Sequence, residues 1–279
     1  MYPTSTRELN EVMRAFLRKL VPTRFLPSSV LERYLSAKTF GGTKVIKGPF
    51  EGLVLRSESY FSPIYNKLLG SYERELHPIL EEVMAMSPSL VVDIGAAEGY
   101  YACGFASRCG PQTKHYAFES DFRSRFVLRR NLEANNLSSA VQVGEHCSTE
   151  VLQKLLNSSA GPVFILCDVE GMEAELLDAD LVPGVRNATI LAELHEFAVR
   201  GVGEFLTKRF ESTHVVREIG SEPRSARDLF GDQFPLWAHF LPRSAIDRFA
   251  KERPGIQKWL FLQPRSCEGK SSGETVRFA

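Results

Sequence analysis

Two short acidic stretches carry the side chains best suited to chemistry. Asp168 and Glu170 follow the apolar run VFILC, and Glu193 and His195 close the run ATILAELH. A histidine titrates at about 6.5 when unperturbed, which suits it to take a proton near neutrality. His195 is therefore the candidate general base. Asp168, Glu170 and Glu193 are hard oxygen donors that could instead hold a divalent cation such as Mg2+, which would lower the pKa of a bound hydroxyl. The bland readings stand beside these: His195 as a hydrogen-bonded strand-end histidine, and Glu173 and Glu175 as acids that complement a helix N-terminus.

A second constellation, VVDIGAAEGYY at 91–101, places an acid and two glycines directly behind an apolar run. A dinucleotide fingerprint needs G-x-G-x-x-G. Here Ala97 and Tyr100 stand where its second and third glycines would be, and there is no G-x-x-x-x-G-K-[ST] phosphate loop. Asp93 in front of the turn would repel a pyrophosphate, but it can accept hydrogen bonds from an ammonium or hydroxyl group. The ligand implied is an uncharged nucleoside joined to an amino acid, as in S-adenosylmethionine. Its ribose diol calls for an acid at the end of the next strand, where Glu119 closes HYAFES.

The elements that must position these residues are legible as a rhythm. A helical pattern in YERELHPILEEVMAM, broken near its start by Pro78, leads into the strand SLVVDIG. Helix 99–108, strand HYAFES, helix FRSRFVLRRNLEANN, strand VQVGE and helix TEVLQKLLN follow, then strand PVFILCDV, helix MEAELLDADL, strand ATILAELHEF, helix GEFLTKRFE and strand HVVREI, and, after an insertion at 220–255, a last strand IQKWLFLQP. Such alternation predicts an α/β fold: a mainly parallel seven-stranded sheet with helices on both faces. In such a sheet ligands bind beyond the carboxyl ends of the strands. Tyr72 and Glu73, just before the first sheet helix, could close over a ligand there. Trp237 and His239 in PLWAHF could line an acceptor pocket, and His77, His115 and His214 read as structural.

Four blocks resemble the FkbM-type branch of S-adenosylmethionine-dependent methyltransferases: VVDIGAAEGYY, HYAFESDFRSRFVLRRNLEANN, FILCDVEGMEAELL and ILAELHEF. The DVEGxE block followed by ELH is the specific part. The resemblance implies a Rossmann-like methyltransferase fold in which Asp93, Gly95, Ala96 and Gly99 line the methionine and ribose end and Glu119 holds the ribose hydroxyls. It further implies that Glu145, His146 and Cys147 meet adenine, and that Asp168 to Glu170 face both methionine and a hydroxylated small-molecule acceptor. The family pattern has Lys two residues before the Asp of DVEG; this chain has Leu166, and Cys167 replaces the usual aliphatic residue.

Composition bounds the rest. The 34 basic and 34 acidic side chains among 279 residues cancel, so no global field draws the chain to nucleic acid or an anionic membrane. Five cysteines without a CxxC pair argue against a disulfide framework or zinc site and fit a reducing cytoplasm. No apolar run approaches membrane-spanning length. Residues 1–60 read as an extension of one helix and two short strands, Lys44 to Ile46 and Leu53 to Arg56. Residues 61–264 read as the methyltransferase domain and 265–279 as a flexible, polar tail. The apolar stripe of helix 7–20 would cover its own domain, or serve a partner such as a second copy. The competing class of function is a non-catalytic nucleoside-binding or scaffolding module on the same fold.

Overall fold

A computed structural model describes residues 43–56, 64–222 and 257–265. Helix 7–20, the PLWAHF segment with Trp237 and His239, and the tail from 266 lie outside the described residues.

Five parallel strands form most of the sheet: β1 (Leu90–Ile94), β2 (Lys114–Phe118), β3 (Val141–Gly144), β4 (Val163–Cys167) and β5 (Thr189–Glu193). β6 (His214–Gly220) and β7 (Lys258–Pro264) complete it, with β7 antiparallel to both β5 and β6. The spatial order is β3-β2-β1-β4-β5-β7-β6. This is the mainly parallel seven-stranded α/β sheet that the alternation of elements predicts. The chain steps outward one way from β1 to β3 and the other way from β4 to β5. The crevice between the ends of β1 and β4 is thus the switch point where open α/β sheets bind ligands.

Central strands are buried on both faces, so they read as continuous apolar runs and not as alternation. All five residues of β1 and of β5 are buried. One face packs against α2 (His77–Ala85), α3 (Tyr100–Arg108) and α4 (Phe122–Ala134), through Leu80, Phe105 and Leu128. The other packs against α5 (Thr149–Asn157), the single turn α6 (Glu173–Leu176) and α7 (Val202–Phe210), through Leu152, Leu176 and Leu206. α1 (Ile64–Leu69) precedes them all.

Three local expectations are refined. The helical run 72–86 divides: a 3-10 turn at Arg74–Leu76 precedes α2, with Pro78 in the first turn. That is where a residue lacking an N–H is tolerated. MEAELLDADL is not a full helix. It stops after α6, because the Asp178 carboxylate accepts the N–H groups of Asp180 and Leu181 at 2.8 and 3.3 Å, a turn that competes with the helical ladder. The two short strands of the extension meet as one antiparallel bridge, Lys44 to Val54.

That hairpin is fastened to the sheet layer. Phe50 is buried and meets Tyr100 and Phe105 edge-on, with centroids 5.3 and 5.5 Å apart. Asn135 accepts the Val54 N–H at 2.8 Å and donates to its carbonyl at 2.7 Å, while Asn131 accepts the Arg56 N–H at 2.7 Å.

Candidate active site

The β1–α3 turn is built around close backbone approach. Gly95 has φ +87°, and a Cβ there would fall 1.7 Å from the carbonyl oxygen of Asp168. Only glycine lets the start of the β4–α6 loop lie against the turn. Ala97 also takes a left-handed φ, +46°, and its N–H donates to Glu119 Oε2 at 2.7 Å. Glu119 Oε1 accepts the Asp121 N–H at 2.7 Å. The acid at the end of β2 is thus held by two backbone donors, and Asp121 goes on to cap α4 through the Ser124 N–H at 2.9 Å.

These elements enclose a cleft of about 1100 Å³. Gly95, Ala96 and Glu119 line it on one side, Tyr72 on another, and Glu145, His146 and Cys147 beyond β3. Asp168, Glu170, Glu193 and His195 line its other end. Three sequence candidates stand behind the wall. Gly99 is the left-handed residue before α3, where a Cβ would meet Leu128. Glu73 is buried and accepts a short hydrogen bond from the Tyr101 hydroxyl. Asp93 is 1% exposed, beneath the turn. Glu145 and His146 are exposed at the rim, with Glu145 3.6 Å from Arg125.

Asp93 is electrostatically unusual. Burial, then the Asp168 and Glu119 carboxylates, push its pKa up to about 8, against a smaller opposing pull from the Ala102 amide and the Lys67 ammonium. A cation placed beside such a carboxyl group would favour its ionised form.

The other end is organised by His195. Its Nδ1 lies 2.5 Å from Oε1 of Glu173, whose side chain is 0% exposed. Its Nε2 lies 3.4 Å from Asp168, 3.6 Å from Glu170 and 4.0 Å from Glu193. Burial opposes the imidazolium, yet the Glu173 hydrogen bond and the charges of Asp168, Glu173 and Glu170 raise the His195 pKa above its usual value. Burial likewise opposes ionisation of Glu173. Hydrogen bonds from His195, its own amide and the Gly171 N–H outweigh it and hold Glu173 below the usual carboxylate range. Glu170 has φ +53° before Gly171 at +110°, a strained turn of the kind concentrated at functional sites.

Two residues of this site escape the sequence reading. Glu173 reads there as a helix-end acid, whereas it is buried and pairs with His195; it is the closing acid of the DVEGME block itself. Lys67 sits on α1, far in sequence from any motif. It is 3% exposed, lines the cleft, forms a short ion pair with Glu98 and lies over the Tyr72 ring, 4.6 Å from its centroid. Leu166 is paired with Asp93 across β1 and β4, and the cation acting on Asp93 is Lys67 of α1. Cys147 lines the cleft but its thiol is pushed up to about 12 by burial, so it offers an apolar wall and no thiolate.

No family model matches the sequence, and no curated protein does. Solved structures do resemble the fold. One is an O-methyltransferase from Bacillus cereus in complex with SAH, at 13% identity over 90% of this chain and 97% of that one, with TM-score 0.44. An rRNA methylase from Streptococcus thermophilus aligns at 10% identity over 68% of this chain and 96% of that one, with TM-score 0.44. Human methyltransferase 10 domain containing protein aligns at 14% identity over 84% and 94%, with TM-score 0.46. No helix among the described residues is long and apolar enough to cross a membrane.

Proposed function

We propose that the chain is an S-adenosylmethionine-dependent methyltransferase of FkbM type that transfers a methyl group to a hydroxyl of a small-molecule acceptor. One observation carries the reading. A single cleft at the switch point has a ribose-type carboxylate, Glu119, at one end and the His195 cluster at the other. Asp93, neutral to about pH 8 when the cleft is empty, would gain a cationic partner in the methionine ammonium.

In the reaction the acceptor oxygen attacks the methyl carbon in line with the sulfur. A C–O bond forms as the S–C bond breaks, and the electron pair returns to sulfur, which becomes a neutral thioether. The hydroxyl proton leaves to the group formed by Asp168, Glu170, Glu193 and His195. The acceptor class follows from charge. Asp168, Glu170, Glu175, Glu193 and Glu196 all line that end of the cleft, a field that repels nucleic-acid phosphates and accommodates sugar-like or aminated hydroxyl compounds.

Calorimetric titration with S-adenosylhomocysteine tests the cofactor, and tritium transfer from labelled S-adenosylmethionine to a panel of hydroxylated acceptors tests the activity. Saturable one-to-one binding with transfer is expected. Absence of binding overturns the reading, and binding with no transfer to any acceptor favours a non-catalytic nucleoside-binding module.

A further inference from the structure

The surroundings of His195 are those of a metal ligand more than those of a free base. A carboxylate can only accept, so in the neutral imidazole the Glu173 contact fixes the proton on Nδ1 and leaves a lone pair on Nε2. Glu173 is itself anchored by the Gly171 N–H at 3.1 Å. This carboxylate–histidine pair is the arrangement that orients metal-binding imidazoles.

Nε2 is buried and makes no hydrogen bond, and three carboxylate oxygens surround it at 3.4, 3.6 and 4.0 Å. A lone pair facing carboxylates is repulsive unless a proton on Nε2 or a metal ion lies between them. Donor atoms about 2.1 Å from one ion and about 90–109° apart stand about 3.0–3.4 Å from each other. The donor atoms of Asp168, Glu193 and His195 all lie within 4.8 Å of one another, so small side-chain movements would close them on one ion. Glu170, on its strained and exposed turn, supplies a fourth oxygen from the solvent side.

We propose that Asp168, Glu193 and His195, joined by Glu170, form a centre for a divalent first-row transition ion of the Mn2+ type. The imidazole nitrogen argues for such an ion over Mg2+, which prefers an all-oxygen shell. The catalytic use of the centre rests on the methyltransferase reading; its existence does not. With the ion bound, His195 is a ligand and not the general base. The acceptor hydroxyl would coordinate the ion, and its proton would leave through Glu170 to solvent.

The full chain, stripped with EDTA and dialysed, is titrated with Mn2+ while the free-ion electron paramagnetic resonance signal is followed. One site per chain is expected, held at least tenfold more tightly than Mg2+ in competition, with nitrogen hyperfine coupling from one imidazole. His195→Ala should remove that coupling, Glu193→Gln should weaken binding at least tenfold, and Glu173→Gln should weaken it about 10–100-fold as an orienting partner. Circular dichroism identifies any variant that fails to fold; Glu193→Gln, the mildest change in shape, then decides. No stoichiometric site, or Mn2+ binding that both His195→Ala and Glu193→Gln leave unchanged, overturns the proposal. The same preparations are titrated with S-adenosylhomocysteine. Mn2+ binding without nucleoside binding sinks the methyl-donor reading alone, and the reverse sinks the metal centre alone.

Discussion

Gly95 and the main-chain carbonyl of Asp168 lie so close that a single Cβ on residue 95 would sit 1.7 Å from that oxygen. The same junction is tied by the Asp168 N–H, which donates to the Ile94 carbonyl at 2.8 Å. The end of the cleft that would hold the cofactor and the end that would do the chemistry are therefore one rigid backbone junction. Gly95→Ala should displace Asp168 and weaken S-adenosylhomocysteine and Mn2+ binding together, with a loss of stability of about 2–4 kcal/mol from strain and overpacking. Gly201→Ala is the control. Its φ of +79° is similar but nothing lies within 4 Å of the added Cβ, so about 1 kcal/mol and unchanged binding are expected. Equal losses in both variants would show that the contact with Asp168 does not matter.

Glu119 offers a narrower test. Both of its oxygens already accept a backbone N–H, so only their remaining lone pairs face the cleft. Glu119→Gln replaces one acceptor by a donor that would oppose either the Ala97 or the Asp121 N–H. A hydrogen bond to a charged group contributes about 1.5–3 kcal/mol, so cofactor affinity should fall about 10–100-fold, and the melting temperature should fall as well because one backbone N–H loses its acceptor. Calorimetry showing unaltered affinity would mean that the ribose is held elsewhere.

Asp93 predicts opposite effects on stability and binding. Its folded pKa, about 8, lies above its ordinary value of 3.8. Between those values the folded chain keeps a proton that the unfolded chain has released, so this group's contribution makes stability fall as pH rises, by up to about 1.4 kcal/mol per unit. Asp93→Asn removes that slope. The variant should gain on the parent from about pH 4 to 8 and hold a constant advantage above, while losing most nucleoside affinity. In the parent, cofactor binding below pH 8 should release a proton, visible as a dependence of the calorimetric enthalpy on the buffer. A binding enthalpy independent of buffer ionisation would contradict the assignment.

The sheet was readable because its strands are buried on both sides and its helices are striped, two patterns set by local periodicity. Asp93, Glu119, Asp168 and His195 were readable because each ends a strand, and the carboxyl edge of a parallel sheet collects such residues without further information. Glu173 was misjudged because an acid at a helix start ordinarily stays in solvent; only the fold shows that α6 is a single turn, with its first residue turned inward onto His195. Lys67 was invisible for a different reason. Its role depends on how α1 crosses the cleft, a tertiary fact with no local signature.

Lys67 also supplies the last prediction, because stability and function should separate at it. The ammonium is paired with Glu98, both side chains nearly inaccessible at 4% and 1%, and it is the cation that draws the Asp93 pKa downward. Lys67→Met removes one half of a buried pair, a change that typically costs about 3–5 kcal/mol. Adding Glu98→Gln removes the other charge, and an ion pair replaced as a whole is often close to neutral. The double variant should therefore recover most of the melting temperature that Lys67→Met loses. Cofactor affinity should not recover with it. Without the ammonium, Asp93 should ionise only at still higher pH, and the pH at which binding ceases to release a proton should move upward in both variants. If affinity returned along with stability, Lys67 would be a structural residue only; if the proton-release profile stayed where it is in the parent, the ammonium would have no part in setting the charge beneath the turn.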